Sequence, residues 1–137
     1  MAADLLVVDA SVVVKSILAE DGLAAFRRFA LHAPTLMWSE VGSALSQMRQ
    51  RSDINETNVE GALDRLAVAP IEAHESSGLI REAVALARQL GWAKSYDAEY
   101  IVLARSLGAP LTTVDAKLSR AVATAVELID PTTLDPA

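Results

Sequence analysis

Four acidic side chains are the strongest candidates for chemistry in this sequence: Asp9, Glu40, Asp97 and Asp115. They are far apart in the chain, but each is predicted to lie where a strand ends or a helix begins. The chain has no cysteine and only two histidines, so thiol redox chemistry and thiolate metal sites are excluded. Hard divalent cations such as Mg²⁺ and Mn²⁺ prefer carboxylate oxygens. We therefore expect these acids to form one carboxylate cluster that binds such a cation.

The elements that must position these acids alternate between strands and helices. Short apolar runs predict five strands: 5–8, 35–37, 68–71, 110–114 and 126–129. Amphipathic stretches between them predict helices: 12–18, 23–31, 40–49, 56–66, 74–90, 96–107 and 115–124. Strands separated by helices imply crossover connections, and thus a mostly parallel sheet covered on both faces. Pro70 places the third strand at an edge of this α/β fold.

Capping residues support several of these helix boundaries. Ser11, Ser39 and Ser95 each precede a predicted helix and can act as N-caps. Gly91 and Gly108 follow the last apolar residues of two helices, where a left-handed backbone conformation is common.

The sheet topology brings the four acids to one edge. Asp9 and Asp115 follow the first and fourth predicted strands, while Glu40 and Asp97 lie in the first turns of helices that start at the same edge. Ligands bind beyond the carboxyl ends of the strands in such sheets. Like charges in close quarters raise the pKa of some members unless a cation compensates them.

Position alone does not single out these four residues. Acids in the first turn of a helix complement the helix macrodipole, and Asp is a good N-cap, so each acid taken singly fits a purely structural role equally well. Glu56, Glu72 and Glu75 also lie near predicted helix starts.

Length and composition favour one domain that comprises residues 1–137, with 131–137 as a short tail. The chain has 137 residues and is 52% hydrophobic, which is ample for a single core. No apolar run approaches the roughly 20 residues that span a bilayer, and the N-terminus lacks the basic start of a secretory signal. We expect a cytoplasmic protein without membrane association.

The charge balance argues against simple electrostatic binding of nucleic acid, because the formal net charge is −6. Bound divalent cations would cancel part of this charge. Four basic residues lie within six positions of one of the acids and are candidates for RNA contacts: Lys15, Lys94, Lys117 and Arg120. Scattered surface cations explain them equally well.

The segments around the four acids resemble the PIN-domain ribonucleases, and more closely the VapC toxins of toxin–antitoxin pairs. The matching strings, in the family's order, are VVDAS at 7–11, SEVGSAL at 39–45, YDAEYIVLA at 96–104 and LTTVDAKL at 111–118. The resemblance spans about residues 6 to 129. It implies a three-layer α/β/α domain in which the strand before Asp9 is central and the strand at Val68 lies at the edge.

The resemblance also implies function. Asp9, Glu40, Asp97 and Asp115 correspond to the acidic quartet that binds Mg²⁺ or Mn²⁺, and Ser11 and Thr113 to small hydroxyl residues that support it. VapC-like proteins are typically homodimers inhibited by a small VapB-like antitoxin, with which they form heterotetramers or larger assemblies. The implied activity is a metal-dependent endoribonuclease that cuts structured RNA, such as tRNA or rRNA, and arrests translation.

Other α/β enzyme classes fit the residues less well. Haloacid-dehalogenase-like phosphatases need a second Asp at the position of Ser11, and a receiver domain needs an Asp after its third strand, where Glu72 stands. The glycines form neither a dinucleotide-binding turn nor a P-loop. Two alternatives stay open: a housekeeping PIN-domain nuclease of RNA processing, and a non-catalytic PIN-like binding module.

Each pair of aromatic residues near the predicted site has two possible roles, and the histidines are expected to have none in the chemistry. Tyr96 and Tyr100 share one face of a predicted helix and either pack in the core or stack on RNA bases. Phe26 and Phe29 either pack in the core or form the wall of a groove for a partner. His32 and His74 are expected to be ordinary surface or helix-end residues.

Overall fold

A computed structural model describes residues 3–122 and 125–134 of the chain. The strands are β1 Asp4–Val8, β2 Phe29–Pro34, β3 Ile71–His74 and β4 Leu111–Thr112. The α-helices are α1 Ala10–Ile17, α2 Leu36–Gln50, α3 Glu56–Ala67, α4 Ser77–Leu90, α5 Tyr96–Leu107 and α6 Ala116–Val122. Short 3₁₀ turns lie at Ala24–Phe26 and Pro131–Thr133. None of the helices in these described segments is long and apolar enough to cross a membrane.

The sheet has the strand order β3-β2-β1-β4, and every pair of neighbours is parallel. The carboxyl ends of all four strands therefore meet at one edge of the sheet. Leu6, Val7 and Val8 of β1 are completely buried, as expected for an interior strand with helices on both faces. The predictions of a central β1 and of an edge strand near Pro70 are confirmed.

Helices form a layer on each side of the sheet and confirm the predicted three-layer α/β/α architecture. Helix α5 contacts β1, β2 and β4 and is itself covered by α4, while α1, α2 and α3 pack against one another. The core contains large side chains with almost no exposed surface, among them Ile17, Met37, Leu45, Tyr100 and Leu118. Truncating any of these leucines or Ile17 to alanine would cost roughly 2–5 kcal/mol, because a cavity would remain.

The segment between α1 and α2 differs from the predicted helix 23–31 and strand 35–37. Phe29–Pro34 is a strand, and Leu36 and Met37 begin α2 instead of forming a strand. Pairing explains the difference, because four consecutive residues from Phe29 onward align with β1 and outweigh the local helix propensity. Ser39 consequently lies inside α2 rather than at its N-cap, and Glu40 is the fifth residue of that helix, beyond its first turn.

Other boundaries shift by a few residues. Helix α1 begins at Ala10, so Asp9 rather than Ser11 occupies its N-cap position. Strand β3 begins after Pro70, and the predicted fifth strand at 126–129 is reduced to a single bridge between Leu128 and Leu111. The sheet therefore has four strands instead of five. The expected end of the last helix at Thr124 and the tail positions 135–137 lie outside the described residues.

The predicted ends of two long helices are confirmed. Gly91 and Gly108 have φ angles of 70° and 62°, in the left-handed region that favours glycine, and they terminate α4 and α5. Both turns matter for the site because α5 begins shortly after Gly91 and β4 shortly after Gly108.

Candidate active site

Asp9 lies at the point where β1 passes into α1 and has only 5% of its surface exposed. Its Oδ2 atom accepts hydrogen bonds from Ser11 Oγ at 2.5 Å and from Thr113 Oγ1 at 2.8 Å. These two hydroxyls come from residues after neighbouring strands. They fix the orientation of the Asp9 carboxylate and compensate part of the cost of its burial.

Asp115 is held in the loop that joins β4 to α6. Its backbone N–H donates to Thr113 Oγ1 at 3.0 Å, and the N–H of Val114 donates to Ser11 Oγ at 3.2 Å. Oδ1 of Asp115 accepts from the N–H of Leu118 at 2.8 Å, so this residue also caps α6. The two hydroxyl groups therefore join the loop after β4 to the start of α1.

Glu40 projects from α2 toward the same edge, and Tyr100 of α5 donates a 2.6 Å hydrogen bond to its Oε1. Burial raises the pKa of Glu40 to about 7 because it disfavours the charged carboxylate, while the hydrogen bond from Tyr100 opposes this increase. Negative charge on Asp9, Asp97 and Glu99 raises the pKa of Glu40 further.

Asp97 lies in the first turn of α5, as predicted, and is partly buried. Burial raises its pKa, and the charges of Asp9 and Asp115 add to that increase, whereas Lys117 lowers it. Asp97 thus interacts with two of the other acids, and Glu40 interacts with Asp9 and with Asp97. The structure brings all four predicted acids into one electrostatic neighbourhood at the carboxyl edge of the sheet.

A protein-family comparison matches residues 6–123 to the PIN domain, which covers most of the chain and all four acids. This chain belongs to the PIN-domain family. Its relatives include Ribonuclease VapC3 of Mycobacterium tuberculosis, 35% identical over 98 residues that make up 72% of this chain and 69% of the relative. Ribonuclease VapC9 of the same organism is 32% identical over 119 residues, 84% of this chain and 89% of the relative. The predicted family, PIN-domain and VapC-like, is confirmed.

Solved structures show the same fold. PAE2754 from Pyrobaculum aerophilum has a TM-score of 0.73 and 25% identity, and the alignment covers 97% of this chain and 94% of that one. The toxin–antitoxin complex from Klebsiella pneumoniae has a chain with a TM-score of 0.63 at 15% identity, with coverage of 95% and 98%. At that identity the second likeness supports the fold alone.

The donor set of this PIN domain fits a hard divalent cation. All four acidic side chains offer oxygen, and Thr113 adds a hydroxyl next to them. Across residues 3–122 and 125–134, no three of these acids place their carboxylate oxygens within 4.8 Å of one another. The acids nevertheless interact, because neighbouring negative charges add to the increase that burial causes in the pKa values of Glu40 and Asp97. Mg²⁺ tolerates such a spacing since it keeps several waters and needs few direct carboxylate ligands.

The four basic residues proposed for RNA contacts occupy different surroundings. Lys117 lies 4.6 Å above the ring of Trp92 and acts electrostatically on Asp97, so it borders the acidic site of the PIN domain. Lys15 is in the last turn of α1, where its charge acts on Asp130. Lys94 and Arg120 are exposed before α5 and at the end of α6. Their contact with RNA stays a prediction.

Sequence reasoning missed the link between Glu40 and Tyr100. Tyr100 is completely buried, which agrees with core packing, but its hydroxyl reaches the acidic site, whereas Tyr96 is 54% exposed. The available signal was the three-residue spacing of Asp97 and Tyr100, which places both on one face of α5. Because the partner of Tyr100 lies on α2, no local pattern could have identified the hydrogen bond.

The two phenylalanines and the histidines lie on or next to the strands of the sheet. Phe26 is buried, while Phe29 begins β2 and remains partly exposed beneath the guanidinium of Arg28. Both phenylalanines line a cavity of about 450 Å³ on the side of the protein that carries Arg65. The expectation for the histidines is wrong for His32, which is an interior strand residue with 7% exposure.

Proposed function

We propose that this PIN domain is a Mg²⁺- or Mn²⁺-dependent endoribonuclease and the toxin of a VapBC-type toxin–antitoxin pair. Its substrate would be a structured RNA, tRNA or rRNA, and its cleavage would arrest translation in the cytoplasm. The observation that supports this most strongly is the convergence of four acids at the carboxyl edge of the sheet: Asp9, Glu40, Asp97 and Asp115. There the charges of Asp9 and Asp97 raise the pKa of Glu40, and those of Asp9 and Asp115 raise the pKa of Asp97. The names of the relatives, which are VapC ribonucleases, support the substrate class.

In this proposal Asp9, Glu40, Asp97 and Asp115 hold the cation, directly or through its waters. The chemistry supplied by a bound ion is Lewis-acid activation of water and charge compensation at the scissile phosphate. The protein's own part is to keep the carboxylates in place, since Ser11 and Thr113 orient Asp9 before substrate arrives.

The protonation state of Glu40 should depend on the bound cation. Without metal, a pKa of about 7 leaves Glu40 partly protonated at neutral pH, and a bound cation would lower this pKa and favour the carboxylate that ligation needs. Tyr100 fixes the orientation of its carboxyl group through the bond to Oε1. The proposed hydrolysis needs no histidine base, and neither histidine is among the groups that shift the pKa of Glu40 or of Asp97.

The partner in this proposal is a VapB-like antitoxin, and the protein itself would be a homodimer that forms heterotetramers or larger complexes with it. Similar folds in solved complexes, including VapBC2 from Rickettsia felis bound to a promoter DNA fragment, are consistent with this expectation. An arginine from the antitoxin would be attracted to four uncompensated carboxylates and could make bidentate hydrogen bonds with them.

A housekeeping PIN-domain nuclease of RNA processing is the alternative that shares the same site. The non-catalytic binding module is disfavoured because all four acids are present and electrostatically coupled. The neighbouring gene separates toxin from housekeeping enzyme. A short upstream reading frame whose product co-purifies with this chain and suppresses cleavage supports the toxin.

The decisive test of the activity is cleavage of purified tRNA and rRNA by wild-type protein in Mg²⁺, in Mn²⁺ and in EDTA. We expect discrete fragments with either metal and none in EDTA, with recovery when Mg²⁺ is restored in excess. Equal cleavage in all three conditions would exclude the metal mechanism. Absence of cleavage with every RNA and metal would favour the binding module.

A further inference from the structure

A second group of ligand-type side chains lies outside the acidic site, between strands β2 and β3. His32 Nδ1 is 2.8 Å from His74 Nε2 and 3.4 Å from Glu72 Oε2. These three donor atoms all lie within 4.8 Å of one another, and in the part of the chain that the structure describes no other set of three His, Asp or Glu residues does so.

The parallel pairing of the strands holds this group in place. His32 is directly opposite Glu72, and Pro34 is opposite His74. Because side chains alternate along a strand, Glu72 and His74 project from the same face of β3, the face to which His32 belongs on β2. The N–H of Thr35 also donates to the carbonyl oxygen of His74 at 3.1 Å, so the backbone of both strands is fixed up to the end of the group.

We propose that His32, Glu72 and His74 bind a Zn²⁺ ion. Two imidazole nitrogens and one carboxylate oxygen form a ligand set typical of Zn²⁺ sites that keep a fourth position for water. Bond lengths of about 2.0–2.1 Å place tetrahedral donors roughly 3.3 Å apart, and the distances of 2.8 Å and 3.4 Å lie on either side of this value. To admit the ion, the two ring nitrogens must move from 2.8 Å to about 3.3 Å apart and turn toward it.

The burial and exposure of the three side chains also suit metal binding. His32 is almost fully buried, and its Nδ1 atom is already held beside the other two donor atoms, His74 Nε2 and Glu72 Oε2. When the ion binds, the ring that donates the hydrogen bond changes tautomer, so that its proton moves through solvent to its other nitrogen and the ring stays neutral. The Glu72 side chain is 69% exposed and His74 is partly exposed, which gives the ion a path from solvent.

This site differs in chemistry from the four-acid site. Imidazole nitrogens favour Zn²⁺ over Mg²⁺, whereas a purely carboxylate set favours Mg²⁺ and Mn²⁺. Zinc would join the edge strand β3 to β2 and stabilise the folded protein by mass action. The consequence is a zinc-dependent stability that does not depend on the nuclease proposal.

Thermal unfolding of tag-free protein tests this proposal, with Zn²⁺ added in the presence of excess Mg²⁺ to occupy the acidic site. We expect saturating zinc to raise the Tm of the wild type by about 5 °C or more, and a chelator to reverse the shift. His74→Gln should lose the response. Asp97→Asn, altered in the acidic site, is the matched control and should retain it.

A Co²⁺ absorption spectrum provides a second readout that does not depend on stability. Wild type and Asp97→Asn should show the intense visible bands of four-coordinate Co²⁺, and zinc should displace them. If His74→Gln does not fold, Glu72→Gln replaces it, because that side chain is largely exposed, and it should weaken zinc binding at least about tenfold. Equal zinc responses in wild type and both ligand variants, or a response lost only in Asp97→Asn, would overturn the proposal.

Discussion

Tyr100 donates a 2.6 Å hydrogen bond to Glu40 Oε1, and so joins the buried face of α5 to the acid carried by α2. The tyrosine itself is completely buried, and the pKa of its hydroxyl is raised by burial and by the nearby carboxylate. Its hydroxyl therefore keeps its proton and donates a hydrogen bond throughout the neutral pH range. This bond is the one influence that lowers the pKa of Glu40, against burial and three neighbouring acids that raise it to about 7.

Replacing Tyr100 with Phe should move the pH dependence of cleavage. Loss of the donor raises the pKa of Glu40, because a hydrogen bond to the carboxylate favours its charged form. If cleavage requires ionised Glu40, the rate should begin to rise at higher pH, by about 1 pH unit. Single-turnover cleavage rates from pH 5 to pH 9 measure this change.

Tyr96→Phe on the same helix is the matched control, because this substitution also removes a tyrosine hydroxyl but at an exposed position. Its profile should coincide with that of the wild type. A Tyr100→Phe profile that is uniformly lower but unshifted would show that Tyr100 has only a packing role.

The contribution of Glu40 to the stability of the metal-free protein should fall as the pH rises from about 4.5 to about 7, whereas the lowered pKa of His32 acts in the opposite direction. The pKa of Glu40 is about 7 in the folded state and 4.5 as its ordinary value. Over this interval Glu40 therefore binds more protons in the folded state than in the unfolded state, and its contribution to the free energy of unfolding falls with increasing pH. Glu40→Gln should flatten this dependence and be more stable than the wild type at pH 8.

Urea unfolding in EDTA at several pH values measures this effect. Glu60→Gln is the control, because Glu60 is exposed on α3. A Glu40→Gln variant whose stability has the same pH dependence as that of the wild type would contradict the contribution assigned to Glu40.

Mn²⁺ should stabilise the wild type by relieving repulsion among the carboxylates. Binding to the folded state alone raises the Tm with metal concentration, and EDTA should reverse the increase. Asp97→Asn should show a smaller metal response and an apo protein at least as stable as the wild type, because the charges of Asp9 and Asp115 no longer repel a carboxylate at position 97. Thermal scans with and without Mn²⁺ measure both quantities. No metal response in the wild type, together with a less stable Asp97→Asn, would instead favour a helix-cap role for this residue.

Thr112 and Thr113 are adjacent but should respond in opposite ways to replacement by Val. Thr112 is completely buried, and its hydroxyl has no hydrogen-bond partner among residues 3–122 and 125–134. Thr112→Val should therefore increase the free energy of unfolding by about 1 kcal/mol. Thr113→Val removes the donor to Asp9 and should lower it by about 1–3 kcal/mol. Urea titrations compare the two variants, and a destabilised Thr112→Val would show that its hydroxyl is satisfied.

The sequence alone predicts those features of the fold and the site whose signals lie in neighbouring residues. Asp9 and Asp115 follow apolar strand segments, and Gly91 and Gly108 mark helix ends, so both the edge of the sheet and the ends of α4 and α5 could be predicted. The Phe29–Pro34 strand could not, because its pairing with β1 is a tertiary interaction that local propensity does not encode. The same reason applies to Tyr100 and to His32, whose partners lie on other elements.

The most direct test of the central claim compares single-turnover cleavage of RNA in Mg²⁺ by wild type, Asp97→Asn and Asp64→Asn. Asp64 is exposed on α3 and supplies the same change of charge away from the four acids. If Asp97 belongs to a metal-binding catalytic cluster, Asp97→Asn should cleave at least about 100-fold more slowly, while Asp64→Asn should match the wild type. Equal rates for folded Asp97→Asn and the wild type would contradict the claim.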